Sequence, residues 1–246
     1  MIIDGHIHAG RWSPGQFLGR GVPFTELEAC LAECDIDGAV LTSTDLRENS
    51  AVERFVKEAR SKRYWFFPWV NPGSGEDLEY LRQHRGAIHG IKFHPSCDKI
   101  KITDRRVEPF LSFARGEGLP VIVHCGRWQE MASYRFALEA ASTHPGMVFI
   151  LSHMGGDIPE LEMATIDGIK EAGLSNVYLG IEGVREYWAV QRAVDALGAD
   201  RVLFGSDYPL GHPKMYLGLV DALAISAGQK ASILGGNMLS LLGEAK

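Results

Sequence analysis

The sequence predicts an α/β protein folded as a single-domain (β/α)8 TIM barrel over residues 1–246. Three observations lead there. Short runs rich in β-branched and aromatic residues alternate with longer segments of helical period, and the rhythm holds from end to end. Strands separated by helices must pair in parallel through crossovers, and eight such units fit the length of the chain. An open doubly wound sheet would carry a glycine-rich phosphate turn after its first strand, where this chain has His8-Ala9-Gly10-Arg11-Trp12.

The expected strands occupy residues 2–8, 38–42, 65–70, 88–94, 120–124, 148–153, 176–181 and 201–206. Each is a short apolar run such as Val121-Ile122-Val123 or Phe149-Ile150-Leu151. The expected helices lie between them at 25–34, 50–61, 76–83, 105–116, 129–143, 158–172 and 186–197, with a last one from 213 onward. No Pro/Gly/Ser-rich linker, composition shift or internal repeat beyond this rhythm divides the chain.

Composition narrows the function classes. The chain is 46% hydrophobic and 23% charged, with net charge -6 and no block of lysines and arginines. That argues against nucleic acid or an anionic membrane as partner and favours a small-molecule substrate. No basic segment precedes an apolar run at the start, and no stretch is apolar enough to span a bilayer, so neither a signal peptide nor a membrane span is expected. Four cysteines without a CxxC pair fit a reducing, cytoplasmic compartment. Cys30 and Cys34 sit one helical turn apart like half of a metal site, but no partner pair follows, and they are read as packing thiols.

The chemistry concentrates at strand ends. His6 and His8, two apart on the first strand, point to one face, into the barrel at its C-terminal mouth. The fifth expected strand ends in His124, the sixth in His153, and the eighth runs into Asp207. Imidazoles packed together would lose hydration and repel once protonated, whereas a divalent cation satisfies them. Nitrogen and carboxylate donors without thiolates suit one zinc, with manganese, iron or nickel as alternatives, and an incomplete protein shell marks a catalytic centre. Cys125 alternates away from the interior. On the fourth strand Lys92 and His94 share the inward face while Ile91 and Phe93 face the helices. Three roles stand open for Lys92: a hydrogen-bonding partner inside the barrel, a site for an anionic substrate group, or a carboxylated bridge to a second metal.

These motifs are recognisable in their order and spacing. His6-x-His8, Ile91-Lys92-Phe93-His94-Pro95, Val123-His124-Cys125-Gly126, Leu151-Ser152-His153-Met154-Gly155-Gly156, Phe204-Gly205-Ser206-Asp207-Tyr208-Pro209 and Gly236-Asn237 together resemble the amidohydrolase superfamily. More closely, nearly the whole chain resembles its amidohydrolase-2 branch, which includes aminocarboxymuconate-semialdehyde decarboxylase and related lactone hydrolases. The resemblance implies that His6, His8, His124 and Asp207 are metal ligands. It places His153 beside the activated water and makes Asp207 a proton shuttle. The chain has no room for the long arms that some relatives carry over the site, so its pocket is either open or completed by a second copy in a homodimer. Lys92 and His94 stand where deoxyribonuclease relatives carry an acidic bridging ligand, which disfavours a two-metal phosphodiesterase.

The expected reaction is hydrolysis, in which a metal-activated water attacks the carbonyl of a lactone, amide or ester. A substrate carboxylate would dock on Arg127, Lys92, His94 or Arg11, between apolar walls from Trp12, Trp128 and Tyr208. The alternative keeps the site but removes carbon dioxide from an unsaturated or aromatic acid without oxidation. A third reading, a barrel that binds metal without catalysis, predicts no turnover of any of these. Glu182, Gly183 and Asn71-Pro72 border the expected pocket without an assigned role.

Overall fold

In the computed structural model, which describes residues 1–244, eight parallel strands form the wall. They are β1 (Ile3–His8), β2 (Gly38–Thr42), β3 (Arg63–Phe66), β4 (Ile91–Phe93), β5 (Val121–Val123), β6 (Phe149–Leu151), β7 (Val177–Gly180) and β8 (Val202–Leu203). Continuous ladders join β1 to β3 and β4 to β8. Two seams complete the ring. Between β3 and β4 the Lys92 amide donates to the Pro68 carbonyl at 2.9 Å, and the Val70 amide donates to Lys92 at 3.1 Å. Between β8 and β1 the Gly5 amide donates to Phe204 and the Asp207 amide to His6, each at 2.9 Å. Gly5 is needed there, because a Cβ would sit 2.8 Å from the Phe204 carbonyl oxygen. The last two residues of the expected domain lie outside the described residues.

A helix follows each strand: α1 (Phe24–Glu33), α2 (Asn49–Glu58), α3 (Gly75–Gln83), α4 (Glu108–Glu117), α5 (Tyr134–Thr143), α6 (Pro159–Glu171), α7 (Tyr187–Leu197) and α8 (Pro213–Asp221). Their buried faces, such as Leu27 and Leu31 of α1, pack on the outward strand residues. Ile91, Phe93, Val121, Val123, Phe149 and Leu151 belong to this outer core, and Cys125 is buried in it too. The alternate residues point inward, as pleating requires. Near the bottom of the barrel Ile3, Val40, Trp65, Phe67, Ile122, Ile150 and Leu203 close around Met238, which comes from the short helix Asn237–Leu241. Burying each such side chain stabilises the fold by about 1.5–3 kcal/mol.

β1 departs from simple alternation. Asp4 pairs with Ala39 and Ile7 with Leu41, so three steps on β1 match two on β2. This bulge lets Ile3 face the inner plug while His6 and His8 face inward higher up. Other differences from the sequence expectation have local causes. The expected helix at 129–143 breaks at Ser133, which is extended and caps α5 by accepting the Arg135 amide. The sixth strand stops at Leu151 because His153, Met154 and Gly155 all take positive φ. The segment after β1 forms an antiparallel hairpin of Gly10–Arg11 with Gly21–Val22, which the strand–helix rhythm did not reveal. No helix among the described residues is long and apolar enough to cross a membrane.

Candidate metal and substrate site

The strand ends at the C-terminal mouth hold a chain of hydrogen bonds that fixes the ring protons. His8 Nδ1 lies 2.8 Å from the Ser43 carbonyl oxygen, an acceptor only, so Nδ1 carries the proton and Nε2 the lone pair. His6 Nδ1 lies 2.9 Å from Glu182 Oε1, and His153 Nδ1 2.8 Å from the Glu182 carbonyl oxygen. Both therefore also carry the lone pair on Nε2, where that of His6 accepts from Lys92 Nζ at 3.1 Å. His153 spends its own by accepting from His124 Nδ1 at 3.2 Å, which leaves the His124 lone pair on Nε2. His94 is wired the other way. Its Nδ1 accepts the Cys97 amide at 3.3 Å, so its Nε2 donates.

Two acceptors then confront each other. His8 Nε2 lies 3.3 Å from Asp207 Oδ1, and that buried oxygen has no hydrogen-bond partner. A lone pair facing a carboxylate is unfavourable unless a proton or cation lies between. One nitrogen each from His6 and His8 and a carboxylate oxygen of Asp207 lie within 4.8 Å of one another. This donor set, with an orphaned oxygen and the far ring nitrogens of both histidines anchored, fits a divalent metal. His124 stands outside this close group, held in place by His153 and stacked on His94 with ring centroids 3.8 Å apart.

Burial, reinforced by the Lys92 ammonium, pushes His6 well below the usual imidazole range. Burial and the neighbouring His94 do the same to His124. Neutral imidazole is the form that can ligate. Burial opposes ionisation of Asp207, but a proton or positive charge held between it and His8 Nε2, with the His6 and His153 rings behind, outweighs burial and holds the carboxyl below its ordinary range. Asp207 itself has φ +57, so the backbone turns sharply to present this side chain. Lys92 lies wholly inside the barrel, donating to His6 Nε2 and Ser152 Oγ at 3.1 Å each, and burial pushes it down to about 8.

Above the group lies a cavity of about 250 Å³ lined by His8, Trp12, Phe17, His94, His124, His153, Asp157, Gly183, Asp207, Leu210, Gly211 and Tyr216. Of the expected substrate residues, Trp12 and His94 line it. Lys92 lies beneath it against His6. Arg127 is a correction: its side chain is mostly exposed and bound to Asp157 at 2.9 Å, so Asp157 rather than Arg127 reaches the cavity. Tyr208 is another. The turn at Asp207 sends its ring toward α1, where its hydroxyl lies 3.5 Å from Glu26 Oε1. Trp128 and Arg11 also stay off the cavity, Arg11 reaching the Gly19 carbonyl within the hairpin.

Sequence reading missed Phe17, brought over the mouth by the hairpin, and the anchoring role of Glu182. Glu182 directly follows the strand expected at 176–181, as Asp207 follows that expected at 201–206, and that signal could have found it. Gly183 has φ +79, and a Cβ there would lie 2.5 Å from His153 Nδ1. Its amide donates to the Tyr216 hydroxyl at 2.9 Å, fixing one wall.

Comparison with known proteins agrees with this architecture. A dihydroxybenzoic acid decarboxylase from Polaromonas with bound manganese and the inhibitor 2-nitroresorcinol superposes with TM-score 0.78 at 15% identity, covering 98% of this chain and 96% of that one. An amidohydrolase from Burkholderia multivorans with bound zinc gives TM-score 0.77 at 15% identity over 99% of both chains. A probable 2-pyrone-4,6-dicarboxylic acid hydrolase from Acinetobacter baumannii with bound citric acid gives 0.73 at 14%, covering 98% of this chain and 99% of that one. Among curated proteins none matches the sequence. The amidohydrolase family model matches residues 3–243, and with the barrel and its ring of strand-end histidines in place, this chain belongs to the amidohydrolase family.

Proposed function

We propose that this protein is a metal-dependent hydrolase that opens a lactone, amide or ester carbonyl in a small, carboxylate-bearing substrate. The observation that carries the reading is the unpartnered Asp207 Oδ1 facing the lone pair of His8 Nε2 at the floor of the cavity. His6, His8 and Asp207 would hold one divalent ion, zinc by preference, with His124 beside them. Such an ion polarises a carbonyl and acidifies water. Asp207, ionised at neutral pH, accepts the proton of the attacking water at a carboxylate oxygen and returns it to the leaving group. His94 donates from Nε2 to a substrate oxygen, and its ring lies flat between Trp69 and His124. His153 keeps His124 oriented. Trp12, Phe17 and Tyr216 wall the cavity and exclude bulk water.

Decarboxylation of an aromatic acid is the second reading. It is favoured by the aromatic residues Trp12, Phe17 and Tyr216 in the cavity lining and by the Polaromonas decarboxylase among the structural relatives. One experiment separates them. The zinc- or manganese-loaded protein is incubated with 2-pyrone-4,6-dicarboxylate and, separately, with 2,6-dihydroxybenzoate. Ring opening without gas release is expected. Carbon dioxide release from the benzoate alone would overturn hydrolysis in favour of the second reading, and metal-loaded protein inert towards broad panels of lactones, esters, amides and acids would sink both.

A further inference from the structure

Away from the cavity, a second set of metal-ligating side chains meets where the last helix of the barrel closes on the first. Cys30, on the buried face of α1, and Cys34, one turn on at its C-terminal cap, converge with His212, the residue that caps α8. One ligand atom from each lies within 4.8 Å of the others, and Cys30 Sγ is 3.9 Å from His212 Nε2. Both cysteines are buried, while His212 is half-exposed and gives the site an open side. We propose that Cys30, Cys34 and His212 form a second metal site, one that takes zinc or another thiophilic divalent ion and clasps α1 to the loop between β8 and α8.

Tetrahedral zinc with bonds of about 2.3 Å to sulfur and 2.0 Å to nitrogen sets ligand atoms about 3.5–3.8 Å apart. From their spacing of at most 4.8 Å the trio needs to contract by no more than about 1.3 Å to reach that geometry. Two thiolates and one imidazole leave one position for water, a donor set suited to zinc rather than to manganese. Binding through Nε2 puts the ring proton of His212 on Nδ1. The 3.3 Å contact from the exposed Lys214 amide to Nδ1 then passes to water. Both thiols lose their protons to the solvent as the two sulfur–metal bonds form.

The seam also carries the Lys214–Glu33 ion pair and the Tyr208–Glu26 hydrogen bond. The clasped loop runs from Asp207 to His212 and supplies Leu210 and Gly211 to the cavity wall. A metal at the seam would therefore steady one side of the candidate active site without touching substrate.

Cobalt(II) tests this on the reduced full-length protein, because thiolate-to-cobalt charge transfer absorbs in the near ultraviolet and the His6–His8–Asp207 group holds no sulfur. A charge-transfer band with the intensity of one thiolate-bound cobalt per chain is expected, displaced by zinc. Cys30→Ser/Cys34→Ser should abolish the band while the ion bound by histidine and aspartate remains. His212→Ala, a change at a half-exposed position, should weaken cobalt binding at the thiolate site at least tenfold and serves if the double variant does not fold. Absence of the band in the wild type would sink the proposal, and so would an undiminished band in the double variant or an unchanged cobalt affinity in His212→Ala. The result is independent of whether the cavity hydrolyses or decarboxylates anything.

Discussion

Asp207 and His8 set the first residue-scale expectation. Asparagine at position 207 keeps the shape but can donate its amide to His8 Nε2, relieving the confrontation of two acceptors at 3.3 Å. Metal-free Asp207→Asn should thus unfold at the same temperature as the wild type or higher. Its turnover with metal present should fall by about 10²–10⁴-fold, the share of a positioned proton acceptor. Calorimetry in chelator and a steady-state assay read the two effects. A clear loss of stability in the metal-free variant would contradict the assignment of ring protons. Gly183→Ala acts through geometry instead. The new methyl would press on His153 Nδ1 at a backbone position with φ +79, so the ring must leave the Glu182 carbonyl. A cost of about 1–3 kcal/mol in denaturant unfolding and a loss of turnover are expected.

At the scale of elements, Met238 ties the end of the chain to the barrel floor. It is 2% exposed and packs against Ile3, Trp65 and Ile150 from three different strands. Met238→Ala should cost about 2–5 kcal/mol in denaturant unfolding, because a ring of strands cannot collapse into the hole. Glu53 plays a comparable part between α2 and α3. Burial opposes its ionisation, yet Lys57, the Tyr80 hydroxyl and His84 at 2.8 Å all donate to it and hold it near a pKa of about 2, against an ordinary 4.5. Its folded-state value is lowered, so its contribution is complete above pH 4.5 and drains away as pH falls towards 2. Melting temperatures measured through that window should fall more steeply for the wild type than for Glu53→Gln; parallel curves would show that the node is not ionised as described.

For the whole molecule, metal should act as a ligand of the folded state alone. Stripping the protein with chelator and restoring manganese should raise the melting temperature, by the equivalent of about 2.7 kcal/mol at a hundredfold excess over Kd. Manganese is the useful probe because it favours oxygen and nitrogen donors over the thiolates of the α1–α8 seam. His6→Ala/His8→Ala should lose the effect.

The strand–helix rhythm of the sequence determined the barrel, since eight alternating periods admit few other closed arrangements. It determined that His6 and His8 share one face, and Lys92 and His94 another, because pleating sets each pair. Local alternation could not foresee the bulge in β1, the left-handed turns at His153 and Asp207, or the hairpin that lowers Phe17 over the mouth. Those features arise from register and from seams closed between residues some two hundred positions apart, as where the Gly5 amide meets Phe204. For the same reason only the folded chain shows that Glu182 anchors His6, that Tyr208 and Arg127 leave the cavity, and that His212 joins Cys30 and Cys34. A side chain's direction is written locally, whereas its partners are chosen by the packing of the whole ring.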